Sequence, residues 1–136
     1  TAHNAKQNGL AVEAVEADVF DFLTELDKKK DHSYDYIVLD PPAFTKSGKT
    51  VHEAFRGYKE INYRAMKILP RGGYLATCSC SHFMGEELFV KMVKEAARDA
   101  GVTLRQIEFR QQAPDHPILM TVPETYYLKF FLFQIV

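Results

Sequence analysis

Two cysteines separated by one residue carry the most reactive side chains in this sequence. Cys78 lies within a predicted strand, and Cys80 lies just beyond its end, in the segment 77–81. A loop thiol can act as a nucleophile when its thiolate form is favoured, whereas a free cysteine is commonly a small buried core residue. The pattern alone favours the core role, most strongly for Cys78. Cys80 is the better candidate for a nucleophile.

The same spacing excludes other roles for the thiols. A disulfide between residues so close in sequence would be strained, and two thiols are too few for a structural zinc site. Four of the five histidines show no metal-ligand spacing, so we expect no metal site. They are His3, His32, His52 and His82. Since no secretory signal or membrane-spanning apolar run is visible, we expect a chain of the reducing cytoplasm without a membrane partner.

An aspartate followed by two prolines ends another predicted strand. Asp40, Pro41, Pro42, Ala43 and Phe44 come directly after the apolar run 36–39. The prolines fix the backbone and remove its N–H donors. The segment could simply terminate the strand, but a carboxylate held by such a rigid turn is suited to orienting a flat polar ligand. We favour this second interpretation.

Asp18 stands between a predicted strand and a predicted helix. An aspartate there commonly caps the helix by accepting backbone N–H bonds, and the pattern alone favours this role. A polar contact to a ligand is compatible with capping.

Basic residues gather near the predicted loop and helix that follow Phe44. These residues are Lys46, Lys49, Arg56, Lys59 and Arg64. Such charges usually only contact solvent, but a basic helix start beside a reactive loop could also bind phosphates.

His116 lies in a loop stiffened by Pro114 and Pro117. It could be an acid, a base or an RNA contact, although a lone loop histidine is more often none of these.

Helices and strands alternate along the chain. Hydrophobic periodicity predicts helices over 2–8, 18–30, 51–69 and 86–100, and strands over 12–17, 36–39, 74–78, 103–109 and 126–135. This order predicts an α/β fold with a mostly parallel sheet covered by helices on both faces. The last two strands, which have no helix between them, should form an antiparallel pair. Ligands of such sheets bind beyond the carboxyl ends of the strands, where the candidate residues fall.

Composition restricts the function less than the motifs do. With 136 residues, 46% of them hydrophobic, the chain can build one folded domain. Its formal net charge of −1 argues mildly against an isolated nucleic-acid-binding module, which is usually basic. A local basic patch or a further domain could still bind RNA.

The chain resembles class I S-adenosylmethionine-dependent ribosomal RNA large-subunit methyltransferases that make 5-methylcytosine. The matching segments follow the family order over nearly the whole chain: Asn8-Gly9-Leu10, Ala17-Asp18-Val19-Phe20, Asp40-Pro41-Pro42-Ala43-Phe44, Arg56-Gly57-Tyr58-Lys59-Glu60-Ile61-Asn62, Ser79-Cys80-Ser81, Asp115-His116-Pro117 and Tyr127-Leu128-Lys129. Each segment is a weak signal, but together they are specific. The implied fold is a Rossmann-like methyltransferase sheet.

The resemblance implies a mechanism on a cytosine of 23S ribosomal RNA. Cys80 would attack carbon 6 as a thiolate, carbon 5 would take the methyl group, and an unidentified base would remove the proton at carbon 5. Asp40 would orient the cytosine, which is extruded from its stack. The other residues implied in substrate or RNA binding are Pro42, Phe44, Lys46, Arg56, Lys59 and His116.

The resemblance also implies a cofactor site made of Asp18, Val19, Asp40 and Pro41. Asp18 and the Val19 backbone would hold the adenine of S-adenosylmethionine. The family's glycine-rich cofactor loop, first strands and N-terminal RNA-binding domain have no counterpart here. We therefore expect the chain, residues 1–136, to be the C-terminal portion of a catalytic domain, inactive by itself and able to form a homodimer across exposed sheet edges.

Two other functions stay open. Related enzymes that methylate guanine share the Asp-Pro-Pro segment but lack the cysteine, so Cys80 carries the choice of cytosine. Methyltransferases that act on amino groups have an aromatic residue directly after the second proline, where this chain has Ala43. The other alternative is a non-catalytic α/β module that binds RNA.

Overall fold

Four strands form one mixed sheet in the computed structural model, which describes residues 1–45 and 47–136. The strands are β1 (Tyr36–Leu39), β2 (Tyr74–Ser79), β3 (Leu104–Arg110) and β4 (Lys129–Ile135), and they lie in the order β1-β2-β4-β3. β1 and β2 are parallel, whereas β4 is antiparallel to both β2 and β3. The α/β class and the antiparallel C-terminal pair are confirmed.

Four α-helices accompany the sheet within the described residues: α1 (Ala2–Gln7), α2 (Val19–Lys29), α3 (Val51–Ile68) and α4 (Glu86–Ala100). Short 3₁₀ turns occupy Gly48–Thr50 and Pro123–Thr125. The helix bounds follow local signals. Gly101, with φ of 70°, ends α4 in the left-handed conformation that glycine adopts without strain, and Asn8 is the C-terminal cap of α1.

The core lies between one face of the sheet and three helices packed side by side, α2 against α3 and α3 against α4. In β4 every second residue is buried, from Lys129 to Ile135, so one face of this strand meets the helices. The largest buried side chains include Tyr58 of α3 and Phe89 of α4. These aromatic rings meet edge to face, with centroids 5.9 Å apart.

Three sequence predictions about the sheet are wrong. The sheet is mixed rather than mostly parallel, because two of its three described strand pairings are antiparallel. Residues 12–17 form no strand, and Val12 and Val15 are exposed. A strand is stable only when a neighbour accepts its backbone hydrogen bonds, and this segment has no such neighbour among the described residues. The sheet is also not covered on both faces, because Tyr36 and Val38 on the outer face of β1 are 50% and 61% exposed.

Within the part of the chain that the structure describes, no helix has both the length and the hydrophobicity that a membrane crossing requires.

Candidate active site

The carboxyl ends of β1 and β2 bring the Asp-Pro-Pro segment beside the two cysteines. Leu39 is paired with Thr77 in the parallel register, so the next residues, Asp40 and Cys78, lie at the same height along the two strands. Cys78 is buried within β2 and Cys80 is exposed just beyond it, as their sequence positions predict. Burial raises the pKa of the Cys78 thiol to about 11, and the nearby Asp40 carboxylate adds to this rise. Cys78 is therefore a poor nucleophile.

Hydrogen bonds tie the loop that carries Cys80 to α3 on one side of the cysteine and to Thr45, the residue after Phe44, on the other. The buried hydroxyl of Ser79 donates to the Tyr58 hydroxyl at 3.0 Å. The buried hydroxyl of Ser81 donates to the Thr45 carbonyl at 3.2 Å. Because hydrogen bonds fix the residues that flank Cys80, the exposed thiol is presented at a defined place.

Tyr58 also anchors the Asp-Pro-Pro segment through its ring. The Phe44 ring packs on it with centroids 4.6 Å apart, and a side chain at Gly57 would approach the Phe44 ring to 3.3 Å. Glycine at position 57 therefore leaves room for Phe44 to lie against α3. Burial raises the pKa of Tyr58, so its hydroxyl stays protonated and serves as a hydrogen-bonding group.

A cleft of about 540 Å³ opens between the start of α2 and the end of β1. It is lined by four residues that the sequence predicts for a cofactor site and by two predicted substrate contacts: Asp18, Val19, Asp40, Pro41, Pro42 and Phe44. The predicted cofactor residues are thus brought together in one cleft. Cys80 does not line it and lies at the neighbouring strand end.

Asp18 is the N-terminal cap of α2, as its position predicts. Its Oδ1 atom accepts hydrogen bonds from the backbone N–H groups of Phe20, at 2.9 Å, and Asp21, at 3.2 Å. Both bonds use the same carboxylate oxygen, and the side chain is exposed at the cleft. Capping therefore leaves Oδ2 available for a ligand.

The residues predicted to bind RNA do not form one group. Lys59 reaches α4, where its Nζ atom lies 2.7 Å from Asp99 and 3.6 Å from Glu95, so this amine joins two helices. Arg56 is exposed and lines a groove with Lys59. His116 is exposed in its loop, 3.2 Å from Asp115. Lys46 lies outside the described residues.

Lys129 is a further site residue whose burial was not predicted from the sequence. It is 1% exposed, and its Nζ atom donates to the carbonyl oxygens of Ser81, at 2.5 Å, and Tyr127, at 2.7 Å. The signal was its place in the alternating series Lys129, Phe131, Phe133 and Ile135, which puts the lysine on the core face of β4. Lys129 thus joins the Cys80 loop to the start of β4.

Replacing Tyr58 by phenylalanine should lower the free energy of unfolding by about 1–2 kcal/mol, because the buried Ser79 hydroxyl loses its acceptor. Urea denaturation followed by circular dichroism measures the change. Tyr63→Phe on the same helix is the matched control, since the structure gives its hydroxyl no hydrogen bond within the described residues. Equal stability of both variants would contradict the anchoring role of Tyr58.

The fold is that of solved methyltransferase structures. A protein from Streptococcus mutans described as S-adenosylmethionine-dependent superposes with a TM-score of 0.81 at 20% identity, over 98% of this chain and 34% of that one. A methyltransferase complexed with S-adenosylhomocysteine gives a TM-score of 0.80. A protein of Thermus thermophilus described as a DNA modification methylase gives 0.58, over 88% of this chain and 51% of that one, at 13% identity.

Sequence relatives define the similarity more narrowly. Ribosomal RNA large subunit methyltransferase I of Aeromonas salmonicida is 45% identical over 129 residues, which are 93% of this chain and 32% of that protein. The protein of the same name from Shewanella amazonensis is 46% identical over 93% of this chain and 33% of its own length. No family model matches. The chain is a homologue of these methyltransferases and spans about a third of their length.

Proposed function

We propose that this chain contributes the reactive cysteine and part of the cofactor site to an S-adenosylmethionine-dependent methyltransferase that modifies carbon 5 of a cytosine in 23S ribosomal RNA. The observation that carries the proposal is the exposed Cys80 at the carboxyl end of β2, next to the end of β1 that carries Asp40. The similarity to ribosomal RNA methyltransferases, at 45% identity, supports the substrate class.

In this proposal Cys80 and Asp40 both act on the target cytosine, in different roles. Asp40 accepts a hydrogen bond from the cytosine and orients it, while the Cys80 sulfur adds to carbon 6 and makes carbon 5 nucleophilic. Bound S-adenosylmethionine supplies the methyl group to carbon 5. Loss of the proton from carbon 5 then lets the carbon–sulfur bond break, and its electron pair returns to Cys80.

The cleft at the end of β1 has the features of the proposed cofactor site. Asp18 offers a carboxylate oxygen for the adenine amine and Val19 a backbone group, while Pro41 provides an apolar surface. Asp40, at the cleft's border with Cys78, would be shared between the two sites. Pro42 and Phe44 are proposed to contact the target base.

A larger catalytic domain is part of this proposal. Residues 1–136 would form its C-terminal portion, and a glycine-rich cofactor loop and an RNA-binding domain would come from other parts of the protein, which would work in the cytoplasm. Arg56 and His116, both exposed, are the described residues proposed to contact the RNA. Lys46 is proposed for the same role from sequence alone, and Lys59 would do so only by leaving its partners on α4.

Calorimetry with S-adenosylmethionine tests the proposal on two proteins. One is the present chain, and the other is a chimaera in which this chain replaces the homologous third of the Aeromonas salmonicida protein. The chimaera is expected to bind the cofactor and to methylate large-subunit ribosomal RNA, whereas the chain alone binds weakly or not at all. A folded chimaera without cofactor binding would refute the assignment.

Two substitutions of Asp18 separate capping from cofactor binding. Serine is a good N-cap, so Asp18→Ser should leave stability nearly unchanged and lower the chimaera's affinity for S-adenosylmethionine about tenfold, the loss of one charge-assisted hydrogen bond. Asp18→Ala should lose the same affinity and about 1 kcal/mol of stability. Calorimetry and urea denaturation measure the two effects. Unchanged affinity in Asp18→Ser would restrict Asp18 to capping.

We also propose that two copies of this chain associate through the free edge of β1. β1 is the outermost strand of the sheet, and an uncovered edge pairs readily with another strand. Tyr36 and Val38, exposed on the outer face of β1, would add apolar contacts between the paired strands. The opposite edge is less suited, because β3 has a register shift between Gln106 and Glu108 that disturbs pairing.

Val38→Lys should therefore convert the dimer to a monomer in sedimentation equilibrium, because lysine places a charge on the pairing edge. Ile107→Lys, on β3 and 48% exposed, is the control and should remain dimeric. A monomeric unsubstituted chain at high concentration would contradict the dimer.

A further inference from the structure

Lys129 is a buried cation without a carboxylate partner. No ion pair of Lys129 is present within the described residues, and the side chain is 1% exposed. Its Nζ atom is held by two carbonyl oxygens, those of Ser81 and Tyr127. A buried, unpaired charge is costly, so its retention next to a reactive loop calls for a functional reason.

Lys129 contacts the residues on either side of Cys80. The backbone of Lys129 is paired with Ser79 in the antiparallel register of β2 and β4, and its side chain bonds to the Ser81 carbonyl. The chain is thereby held to Lys129 on both sides of Cys80.

The hydrogen bonds of Lys129 leave one position on the nitrogen free. An ammonium group has three protons, and two are taken by the carbonyl oxygens. A neutral amine can still donate two hydrogen bonds to these oxygens, while its lone pair is free to accept a hydrogen bond from a third group. Both charge states therefore keep the same hydrogen bonds, and a proton can be exchanged without rearranging the site.

We propose that Lys129 is the proton partner of Cys80, accepting the thiol proton when the sulfur attacks the base and returning it after the product leaves. The S–H bond breaks, an N–H bond forms, and the sulfur electron pair forms the bond to carbon 6. On release the carbon–sulfur pair returns to sulfur. This inference rests on the proposed role of Cys80 as the nucleophile.

The electrostatic surroundings support proton exchange near neutral pH. Burial lowers the pKa of Lys129 to about 8, and the ionised Cys80 opposes this shift, which means that the two groups interact. The titratable groups that interact with the two cysteines are Tyr58 on α3, Cys78 on β2 and Asp40 after β1, and none of these can supply a positive charge. His82, two residues after Cys80 in the same loop, is the nearest residue in sequence that can.

A titration of Lys129 in the present chain tests the interaction directly. With ¹³C-labelled lysine, the NMR signal of the Lys129 side chain should titrate near pH 8. In Cys80→Ser the midpoint should move to lower pH, since coupling between two sites is reciprocal. Cys78→Ser is the control and should move it less. An equal midpoint in Cys80→Ser and the unsubstituted chain would overturn the inference.

Alkylation gives a second test on a Cys78→Ser background, where Cys80 is the only thiol. Lys129→Met should slow the reaction of Cys80 with iodoacetamide about threefold or more at pH 8, where a large part of Lys129 is neutral and can accept the thiol proton. Lys91→Met, which removes an exposed lysine of α4, should leave the rate unchanged. An unchanged rate in folded Lys129→Met would overturn the inference. If Lys129→Met does not fold, the NMR titration decides by itself.

Neither test requires methyl transfer, so the two proposals can fail separately. Dependence of Cys80 on Lys129 in a chimaera that methylates no RNA would support the proton partner and refute the proposed function. Methylation that requires Cys80 without any coupling between Cys80 and Lys129 would support the proposed function and refute the proton partner.

Discussion

Cys80→Ser is expected to reduce methylation of large-subunit ribosomal RNA by the chimaera about a thousandfold or more, because a hydroxyl is a much weaker nucleophile than a thiol. Binding of S-adenosylmethionine should stay unchanged, since Cys80 does not line the cleft of Asp18 and Asp40. Transfer of a labelled methyl group to the RNA measures the first effect, and calorimetry measures the second.

Cys78→Ser is the matched control for this substitution. Cys78 is buried in β2, and its raised pKa keeps the thiol protonated, so the change should affect stability rather than chemistry. Methylation per folded molecule should stay within about threefold of the unsubstituted chimaera. Full activity in Cys80→Ser would mean that no covalent bond to the base is needed, and amino-group methylation would then be the better proposal.

The reactive part of the site could be predicted because strand ends have short-range signals. The apolar run 36–39 followed by two prolines marks the end of β1, and the polar residues after Thr77 mark the end of β2. Parallel strands place such ends together, so the sequence predicts Asp40 and Cys80 near each other. The cap at Asp18 is equally local, because it depends on the next three residues alone.

The segment 12–17 was mispredicted because strand formation is not a local property. Its two β-branched residues, Val12 and Val15, favour a strand, but a strand needs a partner that the segment itself cannot supply. The helix predictions were more accurate, since helices satisfy their hydrogen bonds internally. The bounds of α4 match the prediction at both ends.

The ties between elements were beyond the reach of the sequence pattern. The partnership of Lys59 with Asp99 joins residues on two helices, and the bond from Ser81 to Thr45 joins two loops. Each depends on how neighbouring elements pack, which periodicity does not determine. For Lys59 this packing changes the interpretation, because a lysine expected to bind phosphate is instead occupied by carboxylates.

The second large effect is expected in the stability of the chain at alkaline pH. Burial lowers the pKa of Lys129 from its ordinary value of 10.5 to about 8 in the folded chain. Below pH 8 both the folded and the unfolded state carry the charge, and the folded state bears the full cost of burying it. Between pH 8 and pH 10.5 the unfolded state binds more protons, so this group makes the free energy of unfolding rise with pH.

The rise attributable to Lys129 should reach about 3–4 kcal/mol, since its pKa falls from 10.5 to about 8 and one pKa unit corresponds to about 1.4 kcal/mol. Other groups titrate in the same range, so the measurement is the difference in unfolding free energy between Lys129→Met and the unsubstituted chain, from urea denaturation at several pH values. The difference should favour methionine most at about pH 7 and shrink toward pH 10.5. A difference independent of pH would show that the charge of Lys129 does not destabilise the folded chain.

Stability and reactivity of Lys129→Met together decide why the buried charge is present. If this variant is more stable than the unsubstituted chain but its Cys80 reacts more slowly, the buried charge is kept for chemistry rather than for folding.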